Sequence, residues 1–402
     1  MPEKLWNRSF ILFWLGEAQS TFGSSLASVA LAFLVLHLTG SPSQLGITLA
    51  LGILPGIVSP LAGTWVDRIA LKPPLIVGDL LRGALFVLAW WMADRGSLVI
   101  WEIYLLSLIS GAVSAFYWPA SGILTPLLVP EGDLARANGL IGMANQGFQL
   151  VGLVVGGVVV GLLGSAPSLA VDGLTFLLMA LLFLWVAIPP RHPRGQPSSY
   201  WEDLGAGFLA VGRRHFLLLL AVGGFLVNGG FIALDMLMPF VMQRLGAGPT
   251  GYGLFFGLMT GGMALGGGLI ALLGRRFDDR AGVSWGIFGM SLGLFALSTA
   301  GQLWSLLPLA LILGLFIALI NAAISVMIQS RVEGELRGRV FGVLGAVASA
   351  GMPLSLFILS SFANAVPIGA VFAGTGLLTL VVGAAWLRWG SRSLPALATA
   401  EV

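Results

Sequence analysis

The sequence contains no cysteine, which excludes disulfides, thiolate catalysis and cysteine-based metal sites. Its three histidines show no paired spacing, so we expect neither a metal site nor any other cofactor. Nucleotide-binding loops and the residue patterns of a catalytic triad are also missing from the sequence, which argues against an ATP-driven machine and against a membrane enzyme. Charged residues amount to only 9%, whereas soluble domains average about 25%. The chain is therefore not a soluble domain.

Hydrophobic residues, in contrast, make up 57% of the sequence, which predicts an integral membrane protein whose partner is the lipid bilayer. The formal net charge of +3 could suggest nucleic acid in a soluble protein. Here the basic residues are confined to short segments between apolar runs, so we expect no nucleic-acid partner. These basic residues instead set the orientation of the chain in the membrane.

Long apolar runs divide the chain into twelve predicted spans. The first run, of about 28 residues, is too long for the core of a signal peptide and is long enough to cross a bilayer, so we interpret it as a retained helix. The predicted spans are residues 10–37, 43–66, 74–93, 101–126, 137–163, 167–188, 215–243, 250–273, 282–300, 304–329, 339–363 and 366–388.

The distribution of positive charge predicts which side of the membrane each loop occupies. With the amino terminus inside, only Arg95 and Arg244 of the 20 Lys and Arg residues fall outside, which predicts two cytoplasmic termini in the cytoplasmic (inner) membrane. Residues 189–213 form the longest polar stretch, and we interpret them as a cytoplasmic connector between residues 1–188 and 214–402. Tyr200 and Trp201 within it predict a short helix lying in the membrane interface.

The two predicted halves resemble each other in their polar loops. Leu38-Thr-Gly-Ser-Pro42 before span 2 is similar to Leu245-Gly-Ala-Gly-Pro249 before span 8. Glu131 to Gly139 before span 5 is likewise similar to Glu333 to Gly342 before span 11. Because apolar composition does not explain matches in polar loops, they indicate an internal repeat of the kind found in transporters.

A short charged segment between spans 2 and 3 carries the most specific pattern. Its residues are Gly63, Asp67, Arg68 and Lys72, with Asp79 and Arg82 one to two turns into the next helix. The segment resembles the loop 2–3 signature of the major facilitator superfamily, although Ala70 and Leu71 depart from it. The alternative is an ordinary positively charged cytoplasmic loop. If the resemblance holds, the segment acts as a conformational switch, with Asp79 and Arg82 pairing with the Asp67 loop.

Other motifs resemble the drug and siderophore exporter branch of that superfamily, related to macrolide efflux proteins and the enterobactin exporter. These motifs are Pro-Glu-Gly-Asp-Leu-Ala-Arg-Ala-Asn-Gly-Leu at 130–140 and Glu-Leu-Arg-Gly-Arg-Val at 335–340. In span 5, Gly152, Gly156 and Gly157 are similar to the glycines of the branch's antiporter motif. The alternative for these glycines is close helix packing, which small residues at this spacing permit whatever is transported.

The resemblance implies an all-α membrane protein of twelve helices, in two six-helix bundles related by a pseudo-two-fold axis along the membrane normal. It also implies a monomer that moves a small-molecule substrate by alternating access, with spans 1, 4, 7 and 10 lining a central cavity. The polar, aromatic and sulfur-containing residues that we assign to this cavity are Gln19, Ser20, Tyr117, Trp118, Asn228, Met236 and Asn321.

Two carboxylates in these spans, Glu17 and Asp235, are candidate proton carriers. An ionised carboxylate at membrane depth costs several kcal/mol unless it faces water or a partner, and protonation is the usual escape. Both residues could also have a purely structural role. Asp172, on a helix expected to pack behind the cavity, is interpreted as structural.

Together these features predict a secondary active exporter that exchanges protons for substrate. The four cavity spans hold no Lys or Arg, which favours neutral or cationic amphipathic substrates over anions. The alternative is a passive facilitator, or a lipid or siderophore transporter, with the same fold and no proton coupling through Glu17.

Overall fold

In the computed structural model, residues 4–58, 70–189, 200–299 and 301–390 are described. These residues form helices joined by short turns and contain no strand. The helices of the first half of the chain are α1 (Arg8–Thr39), α2 (Pro42–Ile53), α3 (Lys72–Asp94), α4 (Ile100–Leu128), α5 (Leu134–Leu163), α6 (Ala166–Trp185) and α7 (Tyr200–Arg213). Those of the second half are α8 (His215–Phe231), α9 (Ala233–Arg244), α10 (Gly248–Leu273), α11 (Asp279–Thr299), α12 (Leu303–Arg331), α13 (Gly334–Phe362) and α14 (Ile368–Ala385).

Eleven segments of the described chain are long and apolar enough to cross a membrane, with α8 and α9 forming one of them. A twelfth, shorter apolar helix is α2, which continues into the 3-10 turn Leu54–Val58 at the edge of the described residues. The predicted all-α membrane fold is therefore confirmed. The second part of predicted span 2 lies outside the described residues.

Local capping interactions explain where the first two helices begin and end. Asn7 caps α1, because its side-chain oxygen accepts a 3.0 Å hydrogen bond from the backbone N–H of Phe10. Its amide nitrogen also donates 2.7 Å to the carbonyl of Leu128, at the end of α4. Gly40 ends α1 with a φ of 60°, the left-handed conformation that glycine adopts without strain. Ser41 then caps α2.

Predicted span 7 is confirmed as one membrane-length segment, His215–Arg244, although its helix is locally irregular at Ile232. α8 ends at Phe231 and α9 begins at Ala233, with Ile232 between them. Gly229 and Gly230 come directly before this irregularity, and their low helix propensity fits it. Backbone hydrogen bonds nevertheless continue across Ile232, from its N–H to the carbonyl of Asn228 and from the N–H of Met236 to its own carbonyl, so Asp235 does not lie at a free helix start.

The chain divides into two compact units. The first unit comprises Met1–Gly195 and Met242–Gly257, and the second comprises Gln196–Val241 and Leu258–Val402. Within the first unit, Phe10, Phe13 and Phe183 are almost completely buried in a hydrophobic core with Leu124 and Leu128. The predicted boundaries at 188 and 214 stay a prediction. The connector itself contains the helix α7, and the interfacial position predicted for that helix also remains untested.

The second unit contains a buried ion pair and its own apolar core. Both guanidinium nitrogens of Arg331, on α12, contact the carboxylate of Asp279 at the start of α11, with Nη2 lying 3.0 Å from Oδ1. Both side chains are at least nine-tenths buried. A second pair joins Arg214 to Glu333 at 2.7 Å and is far more exposed. The core packs around Phe216 and other residues of α8, α11, α12 and α13.

Candidate functional site

The first unit encloses a polar pocket of about 410 Å³. Residues of α1, α3, α4, α5 and α6 form its wall, and serine and threonine hydroxyls dominate the side contributed by α1. The lining residues are Glu17, Ser20, Thr21, Ser24, Ser25, Ser28, Arg82, Ser114, Tyr117, Gln149, Leu153 and Phe176. A hydroxyl-rich cavity between helices of membrane-spanning length is a setting in which an ionisable side chain can change its charge.

Glu17 is the acidic residue of this wall, and its carboxylate is held by a hydrogen bond. The hydroxyl of Tyr117 on α4 donates to Oε1 of Glu17 on α1 over 2.8 Å. The two predicted site residues are therefore in direct contact. A hydrogen bond from a neutral donor stabilises a carboxylate without cancelling its charge. In the described chain, Glu17 forms no ion pair with a basic residue.

Arg82 on α3 enters the same pocket. Its Nη2 lies 2.5 Å from Oδ1 of Asp79, one turn earlier on the same helix. Its Nη1 donates to the hydroxyl of Ser114 over 3.4 Å. The guanidinium carbon lies 4.2 Å from the ring centre of Phe176 and 5.2 Å from that of Tyr117, distances typical of cation–π contacts. Residues from α3, α4 and α6 thus fix the cation in place.

The Asp79–Arg82 pair is buried but not fully hydrogen-bonded. Asp79 is 0% exposed and Arg82 is 7% exposed. Oδ2 of Asp79 and Nε of Arg82 are both buried without a hydrogen-bond partner in the described structure. Buried polar atoms normally have partners, and an unsatisfied pair of this kind is costly. The arrangement leaves each side chain with capacity for a further contact.

Asp172 on α6 is the third buried carboxylate of this unit. The hydroxyl of Ser24 donates to its Oδ1 over 3.1 Å, and that of Thr175 lies 3.4 Å from the same oxygen. Asp172 is 1% exposed and is absent from the pocket lining. Its contacts join α1 to α6, as expected for a residue that holds two helices together.

Of the other cavity residues predicted in the first unit, only one is found among the described residues that line the pocket. Ser20 lines the pocket. The amide nitrogen of Gln19 instead donates 2.9 Å to the carbonyl of Thr175, which links α1 to α6. Trp118 lies in α4, but its side chain is outside the described part of the structure.

In the second unit, the predicted cavity residues do not form one described pocket. The amide nitrogen of Asn228 donates 2.8 Å to the carbonyl of Gly224 within α8. Met236 is fully buried, whereas Asn321 is exposed on α12. Asp235 is half-buried and forms no side-chain ion pair with the described residues.

Only part of the predicted switch segment falls within the described residues. Gly63, Asp67 and Arg68 lie outside them, and so does the predicted contact of Asp79 and Arg82 with the Asp67 loop. The ammonium group of Lys72 donates to the carbonyls of Leu184 and Val186 at 2.9 and 3.0 Å. Lys72 therefore caps the carboxyl end of α6, where exposed carbonyls attract a cation.

The span 5 glycines lie where helices approach each other closely. A side chain at Gly152 would place its Cβ 2.7 Å from the carbonyl oxygen of Phe22, and one at Gly156 would lie 2.9 Å from the Cα of Leu26, both on α1. A Cβ at Gly157 would lie 2.7 Å from the carbonyl oxygen of Pro249, at the start of α10. These distances favour the helix-packing interpretation of the glycines.

Sequence reasoning missed the cation in the pocket. Spans 1, 4, 7 and 10 contain no Lys or Arg, but Arg82 reaches the pocket from span 3. The Asp79–Arg82 spacing of three residues was the available signal, because it places both side chains on one face of a helix. Ser20, Ser24 and Ser28, spaced by four residues, likewise form a polar stripe on α1 that was visible in the sequence.

The described chain thus combines helices of membrane-spanning length with a hydroxyl-lined pocket, as a multi-pass membrane protein would. The sequence model of the Major Facilitator Superfamily matches residues 13–246 and again residues 220–401. The chain therefore belongs to the Major Facilitator Superfamily and is a transporter of that family. Both its family and its fold are those of transporters rather than of enzymes.

Named relatives place it near the drug-efflux branch. Macrolide efflux protein A of Streptococcus pyogenes is 26% identical over 391 residues, which cover 94% of this chain and 95% of that protein. Multidrug efflux pump Tap of Mycobacterium bovis (strain BCG / Pasteur 1173P2) is 25% identical over 391 residues, which cover 93% and 90% of the two chains. The predicted resemblance to this branch is thereby confirmed.

Solved structures share the fold at low sequence identity. A bacterial homolog of the human lysosomal transporter Spinster has a TM-score of 0.76 at 14% identity, covering 96% of this chain and 97% of that one. The nucleoside transporter NupG has a TM-score of 0.75 at 12% identity, covering 94% and 98%. At such identities the likeness concerns the fold alone.

Proposed function

We propose that this protein is a proton-coupled exporter of neutral or cationic amphipathic small molecules, working as a monomer in the cytoplasmic membrane with both termini in the cytoplasm. The observation that carries the proposal is the position of Glu17: a carboxylate in a hydroxyl-lined pocket, hydrogen-bonded to Tyr117 and without a basic partner among the described residues. The names of the macrolide and multidrug efflux relatives support export as the direction.

The mechanism follows from competition for one negative charge. Asp79 neutralises Arg82 within the pocket, so Glu17 supplies the net charge that a proton or a cationic substrate can bind. Protonation removes the cost of a charge at membrane depth and weakens the hold on a cation. Export is then driven by protons entering as substrate leaves, and the membrane potential adds about 2.3 kcal/mol per charge per 100 mV.

Asp235 is the second candidate carrier. It belongs to the other unit and lies in the first turn of α9, next to the irregularity at Ile232. No basic side chain among the described residues forms an ion pair with it. We assign it a secondary role because it lines no described pocket.

Transport into everted membrane vesicles tests the proposal. Vesicles from cells expressing the protein are energised by an imposed proton gradient and given tetraphenylphosphonium, a lipophilic cation without titratable groups, or the macrolide erythromycin. We expect gradient-dependent accumulation of either probe that a protonophore abolishes. Equilibration of a probe without accumulation would support the passive facilitator instead, and no transport of any tested cation would overturn the proposed substrate class.

A further inference from the structure

The helices around the pocket hold more buried acidic groups than the proposed mechanism uses. Glu17 comes from α1, Asp79 from α3 and Asp172 from α6, while Arg82 is the basic side chain among the residues that line the cavity. Ser24 and Thr175 already hold Asp172 outside the cavity wall. Glu17 and Asp79 remain as the two carboxylates whose charge Arg82 can balance.

Tyr117 connects these two carboxylates through Arg82. Its hydroxyl donates 2.8 Å to Glu17, and its ring lies 5.2 Å from the guanidinium carbon of Arg82. Arg82 and Glu17 both line the same cavity. Tyr117 thus contacts both Glu17 and Arg82, and Arg82 pairs with Asp79, so the four side chains form one contiguous cluster.

The hydrogen bonding of the buried pair is also incomplete. Oδ2 of Asp79 and Nε of Arg82 have no partner in the described structure, although both are buried. An ion pair with only structural work to do is normally saturated with hydrogen bonds, because desolvated charges are costly. Nε of Arg331 in the second unit is likewise without a partner in the described structure, but both carboxylate oxygens of Asp279 are contacted, whereas Oδ2 of Asp79 is not.

We propose that Glu17 and Asp79 share the cation Arg82, so that one exchangeable proton resides on the carboxylate that Arg82 does not contact. Arginine keeps its own proton throughout, so each cycle binds one proton and releases one. With that proton bound, Glu17, Asp79 and Arg82 together are neutral. Without the proton, the three side chains carry one net negative charge, which a cationic substrate can neutralise in place of the proton. Asp79 is then a second proton-binding residue and Arg82 a positioning residue.

This inference rests on the proposed proton coupling, and the pH dependence of probe binding tests it. Binding of tetraphenylphosphonium to the purified full-length protein is measured between pH 5 and pH 9, and its midpoint reports release of the exchangeable proton. In Asp79→Asn, Glu17 and Arg82 form a neutral pair once the proton has left, so no net negative charge remains for the probe. We therefore expect binding of tetraphenylphosphonium to weaken about tenfold or more across the whole pH range.

The double variant Asp79→Asn with Arg82→Gln keeps the test valid if the single variant fails to fold. Removing both members of a buried pair is tolerated far better than removing one. Glu17 then has no cation to share, and we expect the midpoint to rise by about one pH unit above that of the unchanged protein. A folded double variant with an unchanged midpoint would overturn the inference.

The matched control is the other buried pair. The double variant Asp279→Asn with Arg331→Gln removes an equivalent pair that contacts no pocket residue in the described structure. We expect the pH midpoint of probe binding in this variant to equal that of the unchanged protein. A shift in the control equal to that of the Asp79 variants would also overturn the inference. If the unchanged protein itself shows no pH-dependent binding and no proton-driven transport, the proposed function fails. If the unchanged protein shows normal proton-driven transport but the midpoints of the variants do not move, only the proposed sharing of Arg82 is wrong.

Discussion

The hydroxyl of Tyr117 donates a 2.8 Å hydrogen bond to Oε1 of Glu17, joining α4 to α1 across 100 residues of sequence. The bond fixes the carboxylate at the wall of a hydroxyl-lined pocket. Because the donor is neutral, the bond orients the charge and leaves it available to a proton or a cation. The predictions below begin with this contact.

Replacing Tyr117 with phenylalanine removes the donor and keeps the ring under Arg82. A hydrogen bond to a charged group contributes about 1.5–3 kcal/mol, and about 1.4 kcal/mol corresponds to one pH unit. Losing the bond disfavours ionised Glu17, so we expect the pH midpoint of cation binding to rise by about one to two units. Binding of tetraphenylphosphonium as a function of pH provides the measurement.

Tyr104→Phe is the matched control for this change. Tyr104 lies on the same helix, and its hydroxyl donates to the uncharged side chain of Gln44 on α2. The control should lower stability without moving the pH midpoint. Equal midpoint shifts in both tyrosine variants would contradict a specific role for the Tyr117 hydroxyl.

Alanine substitutions in α5 test the packing of its glycines. A Cβ at Gly157 would lie 2.7 Å from the carbonyl oxygen of Pro249, whereas Gly147 on the same helix faces open space. We expect Gly157→Ala to lower the free energy of unfolding by about 1–3 kcal/mol through overpacking. Gly147→Ala should stabilise slightly, because alanine favours a helix by about 1 kcal/mol. Thermal unfolding in detergent compares the two variants, and an equal effect would argue against close packing at Gly157.

The buried pair of the second unit should contribute to stability. Asp279→Asn leaves the buried guanidinium of Arg331 without its carboxylate partner, and we expect a loss of about 3–5 kcal/mol in unfolding free energy. Replacing both residues with apolar side chains of similar volume should recover most of this loss. Thermal unfolding provides the measurement; a single variant as stable as the unchanged protein would show that the pair is not needed.

Asp67 and Lys72 should differ in role although both belong to the predicted switch segment. Asp67→Asn is expected to slow transport while leaving substrate binding nearly intact, because a carboxylate meeting a helix start there would stabilise one conformation. Lys72→Met should reduce stability by about 1 kcal/mol through loss of its bonds to the end of α6. Transport rate and binding are measured for both variants. Equal losses of binding and transport in Asp67→Asn would contradict the switch.

Much of the fold could be predicted from the sequence, because apolar length and caps determine membrane helices locally. Predicted span 4, at 101–126, corresponds to α4 at Ile100–Leu128. The irregularity at Ile232 was not predicted, since residues 229–234 are apolar and the two glycines among them also suit helix packing.

Part of the site could also be predicted from the sequence. Glu17 and Tyr117 stand out as polar residues in apolar helices, and the structure brings them together. The place of Arg82 depends on which face of α3 meets Phe176 on α6. That contact joins segments far apart in sequence, and no local pattern specifies it. The hydroxyls of α1 were detectable by their spacing, but only a folded pocket shows that they surround one carboxylate.

The most direct test of the account is concentrative transport by Glu17→Gln in everted vesicles, compared with exchange of preloaded probe in the same vesicles. Glutamine resembles the protonated carboxyl in shape, so the account predicts that gradient-driven accumulation of tetraphenylphosphonium is lost while downhill exchange continues. Asp235→Asn, alone and combined with Glu17→Gln, shows whether the second unit contributes. Full gradient-driven accumulation by Glu17→Gln, Asp235→Asn and the double variant would contradict proton coupling through these residues.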